Sequence, residues 1–258
     1  MKSLTNLINI DRIFNRTVFQ PPVRDHVHPD IKSVKVESLG KLPIDYIYIQ
    51  SPNMKSNYCI LYSHGNAEDV TSLMLWGKYL ADKLNINILF YDYPGYGRTQ
   101  GKISPSEMGC YHAISAMYQL LRVKYKHRTK NIIPMGVSIG TGPTIDLAAS
   151  ERQFAGVILV APFTSCAKIF IKFDLMDGCD MFHNESKIDK VKSPVLMIHG
   201  RQDKLITPSH SLQLFSKIPP KFRYHLAILD NVGHNNLPEN PEYLSQIEQY
   251  ISDLKDLK

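Results

Sequence analysis

The chain has 258 residues, of which 43% are hydrophobic and 21% charged, with 30 basic and 24 acidic side chains and a net charge of +6. This length suffices for one large domain with a sizeable core, and the composition is that of a soluble globular protein. The positive charge is spread along the chain, which favours a solvated basic surface and excludes a nucleic-acid module. Weak attraction to an anionic membrane or an acidic partner stays open.

The first 30 residues precede the regular pattern, and we interpret residues 1–30 as an N-terminal amphipathic extension. Most of its apolar side chains fall on one helical face. Two interpretations stay open: the helix packs on its own domain, or residues 1–20 contact a membrane surface or a partner. The stretch has no continuous apolar core like that of a signal peptide, and nowhere does an apolar run reach the ~18 residues that a spanning helix needs.

The rest of the chain, residues 31–258, predicts a single doubly wound α/β domain. Two runs of period two, at 33–38 and 44–50, predict an antiparallel opening hairpin. Six continuous apolar runs are typical of strands buried on both faces of a parallel sheet. They are NYCILYSH, INILFYDY, NIIPMGVS, AGVILVAP, SPVLMIHG and RYHLAILD.

Helices are predicted between these strands, among them 69–84 and 104–125. In the second, we expect Ser104 as the N-cap, with Pro105 at the first helical position and Glu107 completing a capping box. Cap-then-proline pairs also precede the last two helices. These pairs are Thr207-Pro208 and Asn240-Pro241.

Ser138 lies between Gly136 and Gly140 in a G-x-S-x-G pattern. Taken alone, the pattern fits a serine at a helix start as well as it fits a nucleophile. A strand before it and a helix after it favour the nucleophile, because the strained strand-to-helix turn admits only small neighbours. Pro143 removes a helical hydrogen bond one turn later and therefore predicts an irregular first turn.

A serine hydroxyl needs a base to remove its proton and an acid to orient that base. Asp203 follows the strand SPVLMIHG and His234 follows RYHLAILD, in the chain order of a doubly wound hydrolase. We therefore predict that Ser138 attacks an acyl carbonyl, His234 acts as the base and Asp203 orients it. His225 falls within a strand and Asp230 lies only four residues before His234, which disfavours both as rivals.

Two backbone N–H groups are needed to stabilise the negative charge that develops during the attack. One is expected from Ile139, the residue after the nucleophile. The other is expected from Asn66, because Gly65 lets the backbone turn sharply after the strand NYCILYSH. These two residues form the predicted oxyanion hole.

No cofactor or metal is predicted, because aspartates and histidines do not cluster at the spacing of metal ligands. The cysteines also lack the spacing of a zinc site or a disulfide framework, and we expect reduced thiols in a cytoplasmic protein. They are Cys59, Cys110, Cys166 and Cys179.

Taken together, these residues resemble the α/β-hydrolase superfamily, and within it the abhydrolase-domain-containing group 17 proteins. The resemblance implies an α/β-hydrolase fold: a mostly parallel eight-stranded sheet, helices on both faces and only a short cap segment. It also implies serine-hydrolase chemistry on lipid-type acyl groups, including removal of palmitate from protein cysteines. It rests on LYSHGNAEDV, YDYPGYGRTQGK, GVSIGTGPTIDLAA, SPVLMIHGRQDKLI and GHNNL.

The chain departs from that group at its N-terminus. The group carries a cysteine-rich, palmitoylated leader, whereas the first cysteine here is Cys59. We therefore expect any membrane contact to be peripheral and to use residues 1–20.

The segment at 163–192 precedes the strand before Asp203 and is too short for a large separate cap domain. Its apolar side chains fit the wall of an acyl-binding groove and ordinary core packing equally well. The candidates for substrate binding are Phe163, Phe170, Phe173 and Met176.

The sequence thus predicts a monomeric serine hydrolase of carboxylic esters or thioesters, including S-acylated proteins. A serine peptidase on the same fold is one alternative, although no additional domain supports it. A catalytically silent binding protein is another, although binding alone does not require a serine, an aspartate and a histidine in this order.

Overall fold

The eight strands of the described residues form one sheet in the order β1-β2-β4-β3-β5-β6-β7-β8 in this computed structural model. The structure describes residues 18–23, 28–53, 57–150, 152–170 and 180–255, with the side chain of Phe170 excepted. β2 is antiparallel to both of its neighbours, and the remaining neighbours are parallel. The strands are β1 (Lys32–Val36), β2 (Leu42–Ile49), β3 (Cys59–Ser63), β4 (Asn87–Tyr91), β5 (Ile132–Val137), β6 (Val157–Val160), β7 (Val195–Gly200) and β8 (Arg223–Leu229).

This sheet confirms the predicted fold class, and each predicted strand is present. The α-helices of the described residues are α1 (Met74–Leu84), α2 (Glu107–Val123), α3 (Thr141–Ala148), α4 (Ala167–Phe170), α5 (Pro208–Lys217) and α6 (Pro241–Asp253). The prediction that residues 1–30 form a separate extension stays a prediction, since residues 1–17 and 24–27 lie outside the described part.

Helix starts differ from the predictions at two places. α1 begins at Met74 and not at 69. The predicted N-cap of α2, Ser104, is wrong: Ser106 has the extended backbone of an N-cap, and its Oγ accepts the N–H of Gly109 at 3.1 Å. Pro105 stays outside the helix, where it packs against Gly95. Asn240 caps α6 as predicted, accepting the N–H of Glu242.

Both faces of the sheet are covered, because successive residues of a strand point to opposite faces. Ile60 of β3 packs in a cluster that includes α1 and α6, whereas the next residue, Leu61, packs in one that includes α2. α3 and α5 pack on β6 and β7, further along the sheet. Because both faces of these strands are buried, successive residues are all apolar, which explains the continuous apolar runs of the sequence. Each fully buried aliphatic side chain stabilises the fold by about 1.5–3 kcal/mol relative to exposure.

The parallel strands place four loops at one edge of the sheet. Ser63 at the end of β3 pairs with Gly136 near the end of β5, and Val137 pairs with Val160 of β6. The loops after β7 and β8, which carry Asp203 and His234, leave the same edge. Within the described residues, no helix has the length and hydrophobicity needed to cross a bilayer.

Candidate active site

Ser138 begins the turn between β5 and α3 and has a backbone φ of +53°, in the left-handed region that side chains disfavour. The flanking glycines make this turn possible. A Cβ added at Gly136 would lie 2.4 Å from the carbonyl oxygen of Gly140, and one added at Gly140 would lie 2.2 Å from the carbonyl oxygen of Ser63. The G-x-S-x-G pattern is therefore a steric requirement of this turn.

Pro143 finds its explanation in the same turn. Residues Ser138–Gly140 form a 3₁₀ turn, and α3 begins only at Thr141. Pro143 is then the third residue of α3, where a backbone N–H has no partner within the helix, so proline loses no helical bond there. The irregular first turn that Pro143 predicts is present.

The structure brings Ser138, His234 and Asp203 into one chain of hydrogen bonds. The Oγ of Ser138 lies 3.0 Å from Nε2 of His234, and Nδ1 of His234 lies 2.6 Å from Oδ2 of Asp203. The other carboxylate oxygen, Oδ1, accepts the N–H groups of Leu205 and Ile206 at 2.9 and 2.8 Å. Such an arrangement orients the imidazole so that Nε2 can accept the serine proton.

The carboxyl of Asp203 is buried, and its pKa reflects two opposing effects. Burial by itself would raise the pKa, but hydrogen bonds from His199, His234 and the N–H of Ile206 hold the pKa well below its usual value. Asp203 is therefore a carboxylate throughout the neutral range. It can stabilise the imidazolium that forms when His234 takes a proton.

His199 is a member of this network that sequence reasoning missed. It is fully buried at the end of β7, with Nε2 2.7 Å from the carbonyl oxygen of Ile206 and 3.3 Å from Oδ2 of Asp203. Its Nδ1 lies 2.6 Å from Oγ of Ser211 on α5. The available signal was its place four residues before Asp203, at the end of a strand.

The loop after β3 is held by three tyrosines of the YDYPGYG stretch. Each hydroxyl contacts a residue of the SHGN stretch at 2.7 Å. The pairs are Tyr91 with Oγ of Ser63, Tyr93 with the carbonyl oxygen of His64, and Tyr96 with Oδ1 of Asn66. Two of the stretches that carry the resemblance, LYSHGNAEDV and YDYPGYGRTQGK, are thus joined by hydrogen bonds in the fold.

Asn66 and Ile139 line the same cavity as Ser138 and His234, which has a volume of about 650 Å³. Glu68 also lines it, and its carboxylate accepts the N–H of Gly65 at 2.7 Å. Burial raises the pKa of Glu68, an effect that the bond from Gly65 and the proximity of His234 oppose. Both predicted oxyanion residues therefore lie at the cavity that contains the serine.

Of the predicted substrate-binding residues, Phe163 lines this cavity, together with Cys166 and Ile169 of the following segment. Phe173 and Met176 lie outside the described residues, as does the side chain of Phe170. Across the part of the chain that the structure describes, no group of three histidine, cysteine or acidic side chains is arranged to hold a metal ion.

Two further lining residues come from residues 1–30, which the sequence predicts to be an extension separate from the domain. Val18 and Gln20 both line the cavity, and Val18 is fully buried. Their place next to the serine carries no sequence signal, because it depends on contacts with residues far along the chain.

Solved structures with the same architecture include an esterase and a lipase. An esterase of Pyrococcus furiosus superposes with a TM-score of 0.72 at 15% identity, over 92% of this chain and 97% of its own. A monoacylglycerol lipase of Paleococcus ferrophilus superposes with a TM-score of 0.60 at 16% identity, over 81% of this chain and 97% of its own. The protein therefore has the α/β-hydrolase fold.

Proteins related in sequence identify the family within this fold. Alpha/beta hydrolase domain-containing protein 17B of Homo sapiens is 39% identical over 207 residues, 78% of this chain and 68% of that protein. Protein 17C of Mus musculus is 40% identical over 198 residues, 76% of this chain and 60% of that protein. A family model described as "Chlamydia CHLPS protein (DUF818)" matches residues 5–156. The chain belongs to the alpha/beta hydrolase domain-containing protein 17 family, as its motifs predict.

Proposed function

We propose that this protein is a serine hydrolase that cleaves carboxylic esters or thioesters of lipid-type acyl groups through an acyl-enzyme. The observation that carries the proposal is the hydrogen-bonded chain from Ser138 through His234 to Asp203 at a cavity. A lone serine at a helix start would need neither partner. This chain of bonds is also the reason to prefer an enzyme over a silent binding protein.

In the proposed mechanism, Oγ of Ser138 attacks the acyl carbonyl carbon while Nε2 of His234 takes the hydroxyl proton. The carbonyl oxygen becomes negative and accepts the N–H groups of Ile139 and Asn66. Collapse breaks the bond to the leaving alcohol or thiol, which His234 protonates. Water then attacks the acyl-enzyme by the same route and releases the carboxylic acid, restoring the Ser138 hydroxyl.

The wall of the cavity supports an acyl substrate. Apolar and aromatic side chains dominate it, and its charged groups are acidic. Members of the wall include Tyr62, Leu73, Trp76, Val160, Phe163, Leu237 and Tyr243. An esterase and a monoacylglycerol lipase among the fold neighbours, and the family resemblance, favour acyl esters or S-acylated proteins over peptides.

Three further properties belong to this proposal. The protein works in the cytoplasm, acts as a monomer, and makes peripheral membrane contact through residues 1–20, except for Val18 and Phe19, which are buried against the domain. Sedimentation and binding to anionic vesicles test the last two.

Labelling with a fluorescent fluorophosphonate tests the reaction. We expect labelling of the wild type, none of Ser138→Ala and almost none of His234→Ala, with Ser216→Ala on the exposed side of α5 as the matched control. Full labelling of Ser138→Ala would overturn the assignment.

A second experiment addresses the substrate. Rates are measured on p-nitrophenyl esters of increasing chain length, an acyl-cysteine thioester peptide and an unmodified peptide. A maximum at long acyl chains is expected. A maximum at acetate or butyrate contradicts the lipid assignment, and cleavage of the unmodified peptide alone supports the peptidase.

A further inference from the structure

The segment Val18–Pro22, which we call the strap, lies against the loop that carries Asn66. The backbone N–H of Gln20 donates to Oδ1 of Asn66 at 2.8 Å, and Nδ2 of Asn66 donates to the carbonyl oxygen of Val18 at 2.5 Å. Both ends of the Asn66 amide are therefore held by backbone groups of one segment, 46 and 48 residues away in the chain.

The strap is itself fastened to the loop after β4. Nε2 of Gln100 donates to the carbonyl oxygens of Pro21 and Pro22 at 3.3 and 2.9 Å. From the same loop, the hydroxyl of Tyr96 gives Oδ1 of Asn66 its second hydrogen bond, at 2.7 Å. The strap and the loop after β4 thus hold Asn66 together.

Packing reinforces these bonds. Val18 and Phe19 are buried, and the ring of Phe19 makes edge contacts with Tyr96 at 6.5 Å and Phe182 at 6.2 Å between ring centres. N-terminal segments are usually poorly ordered unless they are tied down. Here the tie is made to the wall of the cavity beside Ser138.

These contacts occupy the side chain of Asn66, so what it offers to a substrate is its backbone. Resting on the proposed function, we infer that the strap and Tyr96 are positioning elements of the oxyanion hole, which fix the backbone N–H of Asn66. Such a donor must lie 2.7–3.1 Å from the oxyanion, and a misplacement of about 1 Å can lower the rate on the order of 100-fold. The N-terminal segment is then part of the catalytic apparatus.

Variants at two residues that do not line the cavity test this inference. Gln100→Glu keeps the size of the side chain but cannot donate to Pro21 and Pro22, and Tyr96→Phe removes one hydroxyl. Matched controls are Gln249→Glu on α6 and Tyr118→Phe on α2, each of which also loses one side-chain hydrogen bond. kcat and KM are measured on one p-nitrophenyl ester, with kcat expressed per serine titrated by fluorophosphonate so that unfolded protein is not counted.

We expect kcat of Gln100→Glu and Tyr96→Phe to fall by about 10- to 100-fold with KM changed less than about twofold, the result of losing transition-state contacts alone. The control variants should lose about as much melting temperature as Gln100→Glu and Tyr96→Phe, but their kcat should equal that of the wild type. Asn66→Asp retains the backbone N–H but places a carboxylate oxygen against the carbonyl oxygen of Val18, which repels it. We expect its kcat to fall as in Gln100→Glu and Tyr96→Phe.

Two results would overturn the inference. Wild-type kcat in Gln100→Glu and Tyr96→Phe, with activity abolished by Ser138→Ala, rejects the positioning role and leaves the proposed function intact. Activity retained in Ser138→Ala rejects the proposed function, and the inference with it.

Discussion

His199 and His234 approach the same oxygen of Asp203, with His199 Nε2 at 3.3 Å and His234 Nδ1 at 2.6 Å from Oδ2. Nε2 of His199 also lies 2.7 Å from the carbonyl oxygen of Ile206, which can only accept. Nε2 therefore carries a hydrogen, and the Oδ2 of Asp203 shares it. A buried network in which each member has a partner holds its groups rigidly, and here it holds the carboxylate that faces His234.

Removing His199 should therefore affect both stability and rate. We expect His199→Ala to lower the free energy of unfolding by about 2–4 kcal/mol, because buried partners lose their hydrogen bonds, and to lower kcat by roughly 10-fold. His199→Gln keeps a donor near the position of Nε2 and should recover part of both. Urea unfolding and ester hydrolysis measure the two effects. His225 is exposed on β8, so His225→Ala is the control and should change the free energy of unfolding by less than about 0.5 kcal/mol. A wild-type kcat in His199→Ala would contradict the prediction.

The lowered pKa of Asp203 predicts that the folded protein loses stability in acid. Because its pKa in the folded protein is depressed, its contribution is complete above the unfolded value of about 3.9 and is lost as the pH falls from there through the folded value. Asp203→Asn should flatten the unfolding free energy between about pH 5 and 2. It should also lower kcat by about 10⁴-fold at neutral pH, because the amide no longer fixes the imidazole tautomer. Chemical denaturation across this range is the measurement.

Glu185 provides the comparison for that experiment. Hydrogen bonds from Lys168 and Lys217 lower its pKa to about 2, but these lysine side chains are solvent-exposed. Exposed ion pairs contribute little to the free energy of unfolding. Glu185→Gln should therefore change the dependence of that free energy on pH much less than Asp203→Asn does. Equal flattening in the two variants would mean that the network around Asp203 is not the source of the acid loss.

The raised pKa of Glu68 predicts the opposite pH dependence of stability from that of Asp203. Burial raises its folded pKa, so the folded state keeps a proton that the unfolded state has released, and stability falls as the pH rises from about 4.3 through the folded value. Glu68→Gln can still accept the N–H of Gly65 without carrying a charge. The variant should gain stability relative to the wild type as the pH rises above about 4.3, because only the wild type must release this proton. A difference that stays constant as the pH rises would rule out this cause.

Gly140→Ala should be among the most damaging single-methyl changes in the protein. Its Cβ would meet two backbone carbonyl oxygens, of Ser63 at 2.2 Å and of His64 at 2.6 Å, which no rotamer change relieves. We expect a loss of at least about 3 kcal/mol, measured by urea unfolding. Gly40→Ala is the control: it has a φ of +64° but no atom within 4 Å of the added Cβ, so it should cost about 1–2 kcal/mol.

The sequence was sufficient for the sheet and for the catalytic candidates because their signals are local. Each strand is an apolar run bounded by polar or turn residues, and Asp203 and His234 each follow such a run. The steric need for Gly136 and Gly140 is also local, since the clashes arise within and next to one turn. Chain order and strand ends therefore predict which side chains come together before any distance is known.

What the sequence could not predict depends on contacts between distant segments or on a choice between equivalent signals. Ser104 and Ser106 are both good N-caps, and only the backbone conformation distinguishes them. The strap contacts Asn66 from 46 and 48 residues away, and no periodicity encodes that contact. His199 reads as a core histidine until its distance to Asp203 is measured.

The pairing of Ser63 with Gly136 has a consequence beyond the fold. A shift of one residue between β3 and β5 would displace Ser138 relative to Asn66 by about 3.3 Å, more than the length of a hydrogen bond. Insertion of a single residue in either strand should therefore be as harmful to turnover as deletion of a reacting group. The tolerance of the reaction to such insertions is therefore set by the register between two central strands, β3 and β5.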